Sequence, residues 1–174
     1  MVNKELSELK QYVELRKRIP KNKLIEWMKS DSIDVLGATF IIFDKFANLV
    51  ESMPEQEQVI PFYKEYFKRC ILEDPKGEFA EGRYLVGYTL TGFYKAVRND
   101  KRQPPYLLKE IRDLLATLYK QGSEDVRSAI INGALEHLFE DEEVKKEFAY
   151  WKNDKELSGA YLKAAEWSES KAEK

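Results

Sequence analysis

The sequence predicts an all-α protein, and three observations point there. Apolar residues recur at intervals of three and four along nearly the whole chain, the spacing of amphipathic helices packed on one another. The segments between these runs carry the proline, glycine, aspartate and serine that stop and start helices. No stretch shows the strict alternation of a strand. The expectation is eight or nine short antiparallel helices in a single domain over residues 1–167, as a bundle or as stacked helical hairpins of the HEAT kind. Residues 168–174 are small, polar and charged and should fray.

Taken in order, Leu6, Leu9 and Val13 stripe a first helix that Pro20 stops. Leu24, Ile25, Trp27 and Met28 make a short second one. After Asp31 or Ser32 as N-cap, Ile33, Leu36, Phe40, Phe43, Ala47 and Val50 repeat at a helical period. Ile41, Ile42 and Phe46 widen that stripe until it is apolar on most sides, so this helix should be central. Pro61 suits the first turn of the next helix, whose inner face is Phe62, Tyr63, Tyr66, Phe67, Cys70 and Ile71. Asp74, Pro75, Lys76 and Gly77 supply the turn that ends it. A further helix spans about residues 79–97. Gly82, Gly87 and Gly92 each cost it about 1 kcal/mol against alanine and so mark close helix crossings. Residues 99–105 read as a surface loop and a candidate hinge. Leu107, Leu108, Ile111, Leu114, Leu115 and Leu118 give the next helix, closed by Gly122 where a left-handed residue is wanted. Ser123 caps a helix with Val126, Ile130, Ala134, Leu135 and Leu138 inward. Asp141 caps one carrying Val144, Phe148 and Trp151, and Asp154 caps the last, with Leu157, Tyr161, Ala165 and Trp167.

Composition excludes several classes of function. A chain of 174 residues, 43% apolar and 34% charged, buries about 70% of its unfolded surface and needs no staple. The one membrane-like stretch, residues 35–43, lies between Asp34 and Asp44 and is less than half the roughly 20 residues a span requires. Lys4, Glu5 and Glu8 leave no room for a secretory signal, and a lone cysteine excludes an internal disulfide and suits a reducing compartment. A cytoplasmic protein is expected. A net charge of −2 offers no overall cationic field, so nucleic acid is not expected as a partner.

No catalytic residue, cofactor or metal is expected. His137 is the only imidazole; Glu140 and Asp141 stand three and four residues on, but a metal needs further ligands, and a partly exposed histidine near a helix C-terminus is the commoner case. Cys70 sits on an apolar stripe, where thiols are buried rather than nucleophilic. Asp34 and Asp44 flank the central helix, and Asp44 is the acid whose burial would matter. Gly77, Gly82, Gly87 and Gly92 lack the Lys-Ser/Thr ending of a phosphate loop. Tyrosines and tryptophans at helical spacing beside Leu and Phe read as core.

Charge is unevenly distributed. Residues 1–30 carry eight basic and four acidic side chains, whereas residues 121–174 carry eight and thirteen. The densest acidic stretch is Glu140, Asp141, Glu142 and Glu143, with Glu136 one turn before and Glu147 one turn after. Acids at a helix start serve its dipole, but two would suffice; the remainder suggest a surface that mates with a cationic partner. Arg16, Lys17 and Arg18 form a rival cluster, better explained by the negative pole of the first helix.

The segment of residues 123–167 contains Ala129, Ile130, Ile131, Asn132, Gly133, Ala134, Leu135, Glu136, His137, Leu138 and Phe139, followed by Phe148, Trp151, Leu157, Tyr161 and Trp167. It resembles small all-helical bacterial proteins encoded beside polymorphic or contact-dependent toxins and regarded as immunity proteins. The resemblance implies tight, non-catalytic binding to a cognate toxin domain, commonly basic, through the acidic residues Glu136, Glu140, Asp141, Glu142, Glu143 and Glu147. Two other readings stand beside it: a helical scaffold or regulatory adaptor that binds a peptide or forms a homodimer, and a small hydrolase or transferase with a concave pocket into which Asp44, His137, Cys70 or several tyrosines converge.

Overall fold

The structure, a computed structural model, describes residues 4–100 and 104–172; residues 101–103 of the loop read as a hinge lie outside the described residues. Among these the protein is all-α, with no strand and one isolated parallel bridge between Ile19 and Val50. No described helix is long and apolar enough to cross a membrane. The chain sorts into two compact units, Met1–Cys70 with Pro75–Glu81, and Ile71–Asp74 with Gly82–Lys174.

The first unit holds α1 (Lys4–Glu14), α2 (Lys21–Trp27), α3 (Ile33–Lys45) and the greater part of α4 (Gln56–Glu73). Its core is α3, whose Val35, Leu36, Ala38, Phe40 and Ile42 are buried and on which α1 and α2 pack. Phe40 stacks on Tyr66 of α4 at 5.0 Å and meets Phe67 edge-on at 5.5 Å. The helix is shorter than its apolar period predicts. It stops at Lys45, and a 3-10 turn over Ala47–Leu49 carries Val50 to Ile19. There the Ile19 N–H donates to the Leu49 carbonyl at 2.8 Å and the Glu51 N–H to the Ile19 carbonyl at 3.0 Å. Val50 is buried as the pattern requires, but in extended backbone.

Two other boundaries move. Pro20 does not end α1; the helix closes at Glu14 through Arg16, whose φ of 50° is left-handed. The Arg16 N–H then reaches the Val13 carbonyl (3.1 Å) and the Lys17 N–H the Tyr12 carbonyl (2.9 Å), the paired bonds of a Schellman cap. Pro61 lies inside α4, not in its first turn. It is exposed, and the carbonyl deprived of a helical donor belongs to Glu57, also exposed, where water serves. Asp34 is a hook: its carboxylate accepts the backbone N–H groups of Phe79 (2.8 Å) and Ala80 (2.9 Å) and pins the 75–81 segment onto α3. The approach is close enough that a Cβ on Gly37 would stand 2.2 Å from the Phe79 carbonyl oxygen.

The second unit contains α5 (Arg83–Asn99), α6 (Pro105–Gln121), α7 (residues 124–138), α8 (Glu142–Glu147), a 3-10 turn (Ala149–Asn153) and α9 (Ser158–Ala172). Helix α7 opens from Glu124–Ala129 into a π-helical stretch over Ile130–Leu135 and closes through Glu136–Leu138. The stretch packs against α5 and α9. Of the three glycines expected at crossings, only Gly87 makes one: a Cβ there would lie 2.8 Å from the Gly133 carbonyl carbon in the π stretch, whereas Gly82 is the N-cap of α5 and the open side of Gly92 meets nothing within 4 Å. Gly122 is not left-handed, with φ of −78°. Its constraint is space, since a Cβ would come within 2.4 Å of Val126 and 2.6 Å of the Leu118 carbonyl oxygen. Ser123 caps α7 as expected, its hydroxyl accepting the Val126 N–H at 3.4 Å. Helix α9 runs on to Ala172, past the point of expected fraying, and Ser168 is buried with its hydroxyl donating to the Ala165 carbonyl at 2.8 Å.

Candidate protein-binding face

Helix α8 carries Glu142, Glu143 and Glu147 of the acidic stretch, and its two ends are fixed by Asp141 and Glu147. At the start, Asp141 accepts the N–H groups of Glu143 (2.9 Å) and Val144 (3.2 Å), the cap its position predicts. At the end, the Glu147 carboxylate accepts from Arg98 Nε and Arg112 Nη1, each at 2.8 Å, and from the Tyr94 hydroxyl, which also accepts from Arg112 at 2.6 Å. Burial, reinforced by the carboxylate, pushes the Tyr94 phenol up, so it remains the donor. Glu147 thereby ties α5, α6 and α8 together. It is a structural residue, not a free surface charge.

The other acids differ from these two. Glu142 and Glu143 have side chains 68% and 62% exposed and meet only the lysines one turn on, Lys145 at 3.4 Å and Lys146 at 2.5 Å among the ion pairs described. Exposed pairs of this kind hold weakly. Glu140 accepts from Lys171 Nζ at 2.6 Å and lies 3.4 Å from His137 Nδ1. Lys171 above all, with His137 adding, holds its carboxyl below the usual range against partial burial. Glu136 is half-buried, and loss of water pushes its carboxyl up, opposed by His137.

Beside Glu140 lies a cleft of about 480 Å³ lined by α5, α7 and the last turn of α9. The His137 imidazole stands edge-on between two rings, Tyr88 and Trp167, with centroids 5.3 Å away on each side. Lys95 Nζ donates to the His137 carbonyl at 3.1 Å. The Thr91 hydroxyl sits 3.2 Å from the Gly87 carbonyl oxygen and 3.3 Å from that of Ala134, which the π stretch turns toward α5. Gly92 leaves its side of the cleft open, and Tyr84, Leu85 and Tyr88 of α5 are all more than half exposed.

The remaining candidates disperse. His137 keeps Glu140 but not Asp141, which is turned to capping; among the described residues no three of His, Cys, Asp and Glu gather as a metal site would require. Cys70 is fully buried in the first unit and Asp44 is exposed. Arg16, Lys17 and Arg18 are exposed, and the Arg18 guanidinium donates to the Asn48 carbonyl at 2.9 Å. Sequence reasoning missed Tyr88, Lys95, Arg112 and Lys171. Only the four-residue spacing of Trp167 and Lys171 was visible locally; the other contacts of these residues join positions 18 to 49 residues apart.

No protein-family model, curated protein or solved structure matches the chain.

Proposed function

We propose that this chain is a non-catalytic, cytoplasmic protein-binding module whose acidic face on α8 engages a cationic protein, in the manner of an immunity protein covering a basic toxin domain. The observation that carries the reading is the division of labour among the acids. Asp141 and Glu147 fix the two ends of the helix, while Glu142 and Glu143 project into solvent and, among the described ion pairs, meet Lys145 and Lys146 of the same short helix, Lys145 being held more closely by Glu169 of α9. A rigidly mounted pair of exposed carboxylates loses little entropy on binding and exchanges its lysines for a partner's at small cost. Complementary charge then steers the encounter.

Charge reversal tests this best when confined to Glu142 and Glu143, because changing Asp141 or Glu147 would disturb the helix itself. The E142K/E143K variant should fold like the parent and retain less of the cationic protein captured by the wild type, by about 1–4 kcal/mol for two exposed pairs turned from attractive to repulsive. Equal retention at low salt would contradict the proposal. A second reading, self-association, is favoured by the exposed Tyr84, Leu85 and Tyr88 of α5. Sedimentation of wild type against Tyr84→Ser with Leu85→Ser distinguishes it: a dimer lost in that variant supports self-association, and a monomer at all concentrations opposes it.

A further inference from the structure

We propose that the Trp167 ring face and the Glu140 carboxylate form a receptor for a lysine side chain of the partner protein, and that Lys171 occupies this receptor until the partner displaces it. The inference rests on the reading of the chain as a protein-binding module and gives that module a defined point of attachment. The occupant shows the chemistry. The Lys171 ammonium lies 4.8 Å from the Trp167 ring centroid and 2.6 Å from Glu140 Oε1, and a π face beside a carboxylate is the environment an ammonium seeks.

The receptor and its occupant are held with different firmness. Lys171 is in the last turn of α9 with its side chain 56% exposed, and an ion pair made by a long, solvated side chain gains little over the entropy of ordering it. The frame stays when Lys171 leaves: Trp167 and Tyr88 flank the His137 ring, and His137 Nδ1 faces Glu140. The adjoining cleft, open beside Gly92, has room for the stem of an incoming side chain. Glu142 and Glu143 on α8 add charge of the sign that draws such a partner in.

The test is a titration of the full chain with penta-lysine, followed by tryptophan fluorescence. Trp27 and Trp151 are wholly buried, so a ligand-dependent change reports on Trp167. Lys171→Gln should tighten binding about three- to fivefold, the release of one exposed ion pair. Lys163→Gln makes the same charge change at an exposed site on the same helix and should alter it less than twofold. Glu140→Gln added to Lys171→Gln should return the affinity to the wild-type value or below. The proposal is overturned if the two lysine variants behave alike, if the gain survives loss of Glu140, or if penta-lysine leaves the fluorescence of every variant unchanged. The double variant E142Q/E143Q separates the two levels. If it weakens binding while Lys171→Gln and Lys163→Gln are equivalent, the acidic face stands and the receptor falls. If it changes nothing while the Lys171 effect is selective and needs Glu140, the receptor stands and the acidic face falls.

Discussion

Glu147 and Glu142 are five residues apart and of one charge, yet their removal should have unlike consequences. Glu147→Ala leaves two half-buried guanidinium groups and the Tyr94 hydroxyl without their common acceptor, a loss of about 2–3 kcal/mol in urea denaturation. Glu142→Gln removes one exposed pair and should stay within about 0.5 kcal/mol of wild type. The carboxyls also respond oppositely to pH. Glu140, held low in the folded state, contributes stability above the carboxyl's ordinary range, and that stability is lost as pH falls through its depressed folded value. Glu136, held high by desolvation, opposes folding once ionised, so Glu136→Gln should stabilise the protein at neutral pH and lose that advantage as acid protonates the parent carboxyl. Thermal melts of this variant and the parent across that range check the sign. What was legible at this scale was local chemistry. Ser123 and Asp141 could be recognised as caps because a cap bonds the next two or three residues. Asp34 and Glu147 could not be read, because their partners arrive from 35 to 53 residues away.

Among helices, the crossing of α5 with the π stretch of α7 is the contact on which the second unit depends. Its signature is a glycine on each side: Gly87 faces Gly133, and a Cβ on Gly133 would stand 3.0 Å from the Tyr84 carbonyl oxygen. Gly87→Ala should cost about 1–3 kcal/mol, because backbone cannot yield as a side chain can. Gly92→Ala, one and a half turns along the same helix with open space beside it, should instead stabilise by up to about 1 kcal/mol. The pair, measured by chemical denaturation, separates packing from propensity; equal destabilisation by both would contradict the crossing. Periodicity alone could not tell them apart, since both glycines interrupt the same helix. It also overran the end of α3, because Val50 satisfies the apolar pattern equally well from an extended strand of backbone. The π turn was invisible for a similar reason: widening a helix by one residue per turn leaves its apolar residues inward.

At the scale of the whole molecule, the all-α class followed from spacing and punctuation alone, because every helix buries one stripe and ends on recognisable chemistry. The functional surface was only partly legible. The acidic run is a sequence feature, but which of its members are free depends on α5, α6 and α9 supplying Arg98, Arg112 and Lys171. That sorting yields the most direct test of the account. The affinity of the full chain for the cationic protein it retains should be measured, by calorimetry at low salt, for wild type, Glu143→Gln and Lys146→Gln. The account predicts effects of opposite sign: Glu143→Gln weakens binding, and Lys146→Gln, which frees Glu143 from its only ion pair among those described, strengthens it. Affinities unchanged by both substitutions, or shifted in the same direction, would contradict it.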